Sequence, residues 1–401
     1  MGALFEAARE HDTACVMQTY ARKPVMFVSG SGMRLVDDEG HEYLDFVAGI
    51  GAVNLGHAHP AVTAAVAEQA AKLVHVSNLF YVEHRAELAC DIVRLLGGGM
   101  QVFFANSGAE ANEGAIKLAR RWAGGVRPGA HTVVTTHRSF HGRTLATLAA
   151  TGQPSKHEAF APLPEGFVHV PLNDIPALEA VLDDHVAALL LEVVQGEGGV
   201  WPADAEYLAA AESLCRDRGI LFMLDEVQTG FYRTGPAFAH QSFGLTPDVV
   251  TLAKAMANGL PIGAVVARAE VAAAFQRGDH GSTFGGGPVV CAAGRATVAT
   301  LESERLGENA ERAGTALRAG LLAQGAASGR IIDVRGAGLM CGCTLAGPWA
   351  PRAAEALLVR GCIVNHIGTD ILRFLPPLVC RQAEIDTLLA TLADVLEEVA
   401  E

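Results

Sequence analysis

ILFMLDEVQTGFYRTGPAFAHQSFGLTPDVVTLAK, residues 220–254, decides the fold. Two short apolar runs within it, ILFML (220–224) and DVVTLA (248–253), each stop at a charged residue, Asp225 and Lys254. Apolar runs this short, bounded by turn signals, read as buried strands. The same pattern recurs upstream in QVFFA (101–105), HTVVTT (131–136) and AALLLEVV (187–194), with helical segments between most of them. Strands alternating with helices predict an α/β fold with a mainly parallel sheet covered on both faces.

Outward from this centre, residues 26–46 alternate turns with short apolar runs and predict a small β-meander. AVTAAVAEQAAKL after Pro60 and the segment from about Glu83 to Leu96 predict helices, and a closing helix is expected near 383–399. No linker, low-complexity tract or repeat interrupts the chain. The expected organisation is an N-terminal segment, 1–58, that contributes to a small domain; a large domain, 59–294; and a C-terminal part of the small domain, 295–401.

Composition narrows the function. The chain has 401 residues, 50% hydrophobic and 18% charged, with a net charge of −14. No Lys/Arg block suggests nucleic acid. Mean hydropathy is +0.26, yet no uninterrupted apolar run approaches the roughly 18–20 residues of a membrane span. The excess apolarity belongs in a large core, a subunit interface, or both. Eight scattered cysteines form no CxxC pair, and Cys341 and Cys343 are too close and isolated for a zinc site. Buried, reduced thiols in a cytoplasmic protein are expected, and the first residues lack a signal-peptide layout.

In open parallel sheets ligands sit at the carboxyl ends of strands, so polar residues there are informative. QVFFA runs into Asn106-Ser107-Gly108-Ala109-Glu110 and then a helix. This is either an ordinary helix cap or an anion site built from free N–H groups and the helix dipole. AALLLEVV carries Glu192, a carboxylate inside an apolar strand, and leads into Gln195-Gly196-Glu197-Gly198-Gly199. Asp225 is a turn residue or a buried anion facing a cationic ligand group. Among only five lysines, Lys254 alone lies in an apolar, glycine-flanked stretch, TLAKAMANGLPIGA. It is either paired with an acid or a nucleophilic amine of lowered pKa. Taken together, an anion loop, a buried aspartate and a lysine 29 residues later, each ending its own strand, match what a pyridoxal-phosphate site needs.

No GxGxxG, P-loop, HExxH or GxSxG motif supports a competing chemistry. His137 and His141, four apart, bracket a predicted loop and make a poor metal pair.

The sequence resembles the class III aminotransferases, among the fold-type I pyridoxal-phosphate enzymes, and most of all the acetylornithine aminotransferase group. AGIGAVNLGHAHP (48–60), HVSNLF (75–80), NSGAEANEGAIKLAR (106–120), SFHGRT (139–144), QGEGGV (195–200), LDEVQTGFYRTG (224–235), LAKAMANGLPIGA (252–264), HGSTFGG (280–286) and LRFLPPL (372–378) carry the resemblance. It implies a large domain with a mainly parallel, seven-stranded-type sheet and a smaller α/β domain. It implies that Ser107, Gly108 and Ala109 bind the cofactor phosphate, Phe140 stacks on the ring, Asp225 pairs with the ring nitrogen and Gln228 bonds the phenolic oxygen. Lys254 would be the Schiff-base lysine. Thr283 would reach the phosphate from a neighbouring subunit, which makes a homodimer obligatory. Arg143 and Arg373 would receive substrate carboxylates, and Glu197 would be a switch that covers Arg373 when an amine donor enters and uncovers it for 2-oxoglutarate.

The implied reaction is transfer of the δ-amino group of N-acetylornithine to 2-oxoglutarate, a step of arginine biosynthesis run in reverse. Ile50 stands where ornithine aminotransferases of this class place a tyrosine, which argues against free ornithine. Succinylornithine, 4-aminobutyrate and other ω-amines remain rival donors, and a cofactor-binding protein without turnover is the reading from a different class. Two departures from the family pattern stand out: Glu192-Val193 replaces a Glu-Pro pair, and Met256-Ala257-Asn258 replaces a glycine-rich run after the lysine.

Overall fold

The computed structural model describes residues 2–400. After a helix at Ala3–Cys15, the predicted meander forms as β1 (Phe27–Ser31), β2 (Arg34–Asp37) and β3 (Glu42–Asp45), paired antiparallel. The large sheet follows: β4 (Met100–Ala105), β5 (Thr132–Thr136), β6 (Phe167–Val170) and β7 (Val186–Leu191). A two-stranded ribbon, β8 (Val194–Gln195) and β9 (Trp201–Pro202), interrupts it. β10 (Leu221–Asp225), β11 (Val249–Leu252) and β12 (Gly263–Arg268) complete seven strands in the order β4-β12-β11-β10-β7-β5-β6.

All neighbours in this sheet are parallel except β12, which runs antiparallel to both β4 and β11. The carboxyl ends of the other six strands therefore share one edge with the start of β12.

Strand alternation explains how both faces are covered. Leu189, Leu191, Phe222 and Leu224 pack in one cluster with Tyr207, Leu208 and Ala211 of the helix Ala205–Arg218. Ala188, Leu190, Leu221 and Met223 face the opposite way, onto Ala111, Ala115 and Ala119 of the helix Gly108–Val126. β7 and β10 are buried at every position, as expected of strands clad on two sides.

The C-terminal part adds β13 (Ile331–Ala337), β14 (Met340–Leu345), β15 (Cys362–Ile363), β16 (Asn365–Ile367) and β17 (Ile371–Phe374). Four of these make a sheet in the order β13-β14-β17-β16, whereas β15 joins β3 in parallel and so ties the two ends of the chain together. The helix Gln382–Ala400 closes the chain. Among the described residues no helix is long and apolar enough to cross a membrane.

Three expectations need correction. The strand expected over 187–194 ends at Leu191, because Glu192 turns its carboxylate onto the backbone N–H groups of Phe140 and Gly196 instead of continuing the ladder. β6 and β12 escaped the sequence reading: β6 lies in a polar context, and β12 begins only at the end of the glycine-flanked stretch read as the surroundings of Lys254. Of the eight cysteines, six are buried as expected, but Cys15 and Cys90 are exposed on the outer surfaces of their helices.

Candidate active site

One cavity of about 360 Å³, in the size range of small-molecule sites, opens at the shared carboxyl edge of the large sheet. The predicted residues that line it come from the ends of several different strands. Ser107, Gly108 and Ala109 follow β4, Phe140 and Arg143 follow β5, Glu197 follows β7 and β8, Asp225 and Gln228 end and follow β10, and Lys254 follows β11. Thr283 does not line the cavity; it is exposed on a loop of the same chain.

Ser107 caps the helix Gly108–Val126, its Oγ accepting from Glu110 N at 3.1 Å. The N–H groups of the first helical turn have no intrahelical partner, so those of Gly108 and Ala109 are free for an anion at the positive end of the helix dipole.

Asp225 is held by three donors. Its Oδ2 accepts from Asn112 Nδ2 at 2.7 Å and from His141 Nδ1 at 2.8 Å, and its Oδ1 accepts from Val227 N at 3.0 Å. Thr251 Oγ1 donates to Asn112 Oδ1 at 2.7 Å, which fixes that amide with its NH₂ toward Asp225. Asn112 and His141 were not singled out from the sequence as supports for Asp225. A signal existed for Asn112, a polar residue on the buried small-residue stripe of its helix. His141 was weighed only as half of a metal pair.

Lys254 adopts a left-handed backbone with φ of 43°, an unusual conformation for a residue with a side chain. Burial holds its amine below the ordinary lysine value, with Arg373 acting the same way and Glu197 and Asp225 opposing. A buried amine of lowered pKa is the form in which a lysine serves as nucleophile and base.

Arg373 on β17 is 1% exposed. Its Nη1 donates to Glu197 Oε1 at 2.5 Å and to Gly196 O at 3.2 Å. Burial disfavours the Glu197 carboxylate, but Arg373 and then Lys254 outweigh it and hold Glu197 below the usual range. Gln228 Nε2 also donates to Glu197 Oε1, at 3.4 Å. Gly196 makes this approach possible, since a Cβ there would lie 2.1 Å from Gln228 Oε1. Arg143 is exposed at the mouth, its guanidinium carbon 5.5 Å from the centroid of the Phe140 ring.

Glu192 is fully enclosed: Oε2 accepts from Phe140 N at 3.1 Å and Oε1 from Gly196 N at 3.2 Å. Burial, with Asp225 adding to it, pushes its pKa up to about 7 against the pull of His141 and the two N–H groups. One carboxyl group thus pins both the loop that carries Phe140 and the loop that carries Glu197. The Val193 departure leaves Glu197 in contact with Arg373.

The sequence profile described as aminotransferase class-III matches residues 16–396. The chain belongs to the class III aminotransferases. The aminotransferase is 47% identical over 388 residues to the acetylornithine aminotransferase of Caldanaerobacter subterraneus subsp. tengcongensis, covering 96% of this chain and 98% of that one. To the acetylornithine aminotransferase of Gloeobacter violaceus it is 49% identical over 389 residues, 95% of each chain. The crystal structure of ornithine aminotransferase from Toxoplasma gondii superposes with a TM-score of 0.94 at 33% identity, covering 99% of this chain and 96% of that one. That of N-acetylornithine aminotransferase from Stenotrophomonas maltophilia K279a gives 0.84 at 35% identity, with 97% and 98% covered. Backbone likeness therefore does not separate the two donors.

Class III aminotransferases depend on pyridoxal phosphate, and this cavity fits it. The helix start offers free N–H groups to a phosphate, Gln228 Oε1 and His141 Nε2 are buried without partners, and an amine lines the same cavity as a carboxylate held by three donors.

The raised pKa of Glu192 predicts a pH effect with a definite sign. Native Glu192 keeps its proton to about 7, whereas an unfolded glutamate releases it near 4.5. The native state binds more protons across that interval, so the contribution to stability is complete below it and is lost as pH rises through 7. A glutamine is always neutral. The melting temperature of Glu192→Gln relative to the parent, measured from about pH 5 to about pH 8, should move in favour of the variant. Parallel curves would contradict the assignment.

Proposed function

We propose that this chain transfers the δ-amino group of N-acetylornithine to 2-oxoglutarate, yielding N-acetylglutamate 5-semialdehyde and glutamate in two alternating half-reactions. The observation that carries the reading is Glu197, which lines the cavity that holds Lys254 and Asp225 and pairs with the buried Arg373, itself not a lining residue. Relatives of that name, 45–49% identical over nearly their whole lengths, support the donor. Ile50 supports it too, since it offers no hydroxyl with which to hold free ornithine.

When bound, pyridoxal phosphate supplies a carbonyl carbon that accepts the amino group and a ring that stabilises negative charge at the carbon losing its proton. The residues of this chain hold and steer. Ser107, Gly108 and Ala109 would take the phosphate at the helix start. Asp225 would hold a proton on the ring nitrogen, Gln228 would bond the phenolic oxygen and Phe140 would cover the ring. Lys254 would hold the cofactor through its amine, and its Nζ would serve as the base for the proton of the donor's amine-bearing carbon.

Arg143 and Arg373 receive carboxylates because a planar guanidinium offers paired donors. With the amine donor present, Glu197 covers Arg373, so a second carboxylate is not invited. For 2-oxoglutarate, Glu197 withdraws, and Arg373 takes the α-carboxylate while Arg143 holds the distal one.

Thr283 completes the phosphate site from the partner subunit. A homodimer is supported by the apolar surface beside it: Leu79, Phe80, Tyr81 and Phe284 are exposed, and Asn78 ties their loops together by donating to Ser282 O and Gly285 O. The proposed domains, 59–294 and a smaller one from 1–58 with 295–401, are supported by the β3–β15 pairing. Absence of a membrane-spanning helix among the described residues accords with the proposed cytoplasmic location.

The test is a single-turnover assay of cofactor-loaded protein without a keto acid, following the absorption of the lysine-bound cofactor. Rapid loss with N-acetylornithine, and slow loss with succinylornithine, ornithine and 4-aminobutyrate, is expected. A faster response to another donor would reassign the substrate. Lys254→Ala should bind the cofactor reversibly and lose steady-state turnover by at least about a thousandfold; substantial activity would remove Lys254 from its role.

A further inference from the structure

Arg373 divides its guanidinium between two unlike partners. Nη1 meets the Glu197 carboxylate, while Nε and Nη2 both donate to a single neutral atom, Asn365 Oδ1, at 3.0 and 2.7 Å. Asn365 stands directly opposite Arg373 in the β16–β17 ladder, so this contact is fixed by sheet pairing. Glu197 sits in a glycine-flanked loop with its side chain 28% exposed and can leave without disturbing any strand.

We propose that Asn365 is a positioning residue that sets substrate specificity: it satisfies the Nε–Nη2 edge of Arg373 without neutralising it, so that Glu197 alone controls whether the charge is covered. The proposal rests on the carboxylate-switch reading above. A side chain of the same size bearing a negative charge would make the same two hydrogen bonds and cancel the charge permanently. An apolar side chain would leave two buried donors unsatisfied. Only a neutral acceptor does neither. Its place on the Nε–Nη2 edge also leaves the Nη1–Nη2 end for an incoming carboxylate, once Glu197 has released Nη1.

The test compares Asn365→Asp and Asn365→Ala in the cofactor-loaded enzyme. It uses melting temperature, calorimetric binding of glutarate as an unreactive dicarboxylate, and separate half-reactions with N-acetylornithine and 2-oxoglutarate. Asn365→Asp should melt within about two degrees of the parent. It should raise the glutarate Kd and the 2-oxoglutarate KM at least about tenfold more than the N-acetylornithine KM. Asn365→Ala should melt lower yet lose less affinity for both dicarboxylates than Asn365→Asp does. This inverted order separates charge control from mere support. Ala worse than Asp in both respects, unchanged dicarboxylate binding in Asn365→Asp, or failure of Asn365→Asp to fold where Asn365→Ala folds would each overturn the proposal. A parent enzyme inert toward N-acetylornithine or 2-oxoglutarate would instead overturn the functional reading.

Discussion

The site is organised around a buried guanidinium that has to remain charged. Arg373 is almost fully removed from water, and an unpaired charge there would cost several kcal/mol. The surrounding chain meets that demand with Glu197, the carbonyl of Gly196 and Asn365. Each comes from an element placed to reach it: a glycine-rich loop off the large sheet for the first two, and a paired strand of the small sheet for the third. The one anionic partner is also the one that sits in a glycine-flanked turn outside any strand. In the proposed function a stability requirement is thereby turned into a switch, since moving Glu197 would change the sign of charge that the cavity welcomes.

The large sheet supplies the fixed background. Its carboxyl edge gathers residues that are far apart in sequence, and buried contacts hold them. Asn112 and His141 grip Asp225, and Glu192 fastens the Phe140 and Glu197 loops with its two oxygens. These supports line the same cavity as the functional groups they hold. Rigid placement of this kind lets a few side chains act with little reorganisation.

The sequence made much of this legible, for reasons of periodicity. Apolar runs ending at Asp225 and Lys254 revealed two central strands and the edge where chemistry gathers, because a strand buried on both faces shows up as an unbroken apolar run. β12 was hidden because only a short 3-10 turn, Lys254–Ala257, and no α-helix separates its GAVVAR from β11, so nothing marked it as a reversed strand. Glu192 misled because a carboxylate next to LLL reads as part of the strand, whereas its hydrogen bonds end the strand. Asn365 could not have been found: its role comes from cross-strand register with Arg373, eight residues later, and no local pattern encodes that pairing. Thr283 is named only through family resemblance, since within one chain it is exposed and outside the cavity.

The most direct test of the central claim removes the switch and keeps the receptor. In Glu197→Ala, kcat/KM should be measured for glutamate and for N-acetylornithine as competing amino donors. With Arg373 permanently uncovered, the ratio should shift toward glutamate by about tenfold or more, the scale expected when one partner of a buried charge pair is truncated. An unchanged ratio would mean that Glu197 does not govern access to Arg373, and the switch would have to be abandoned.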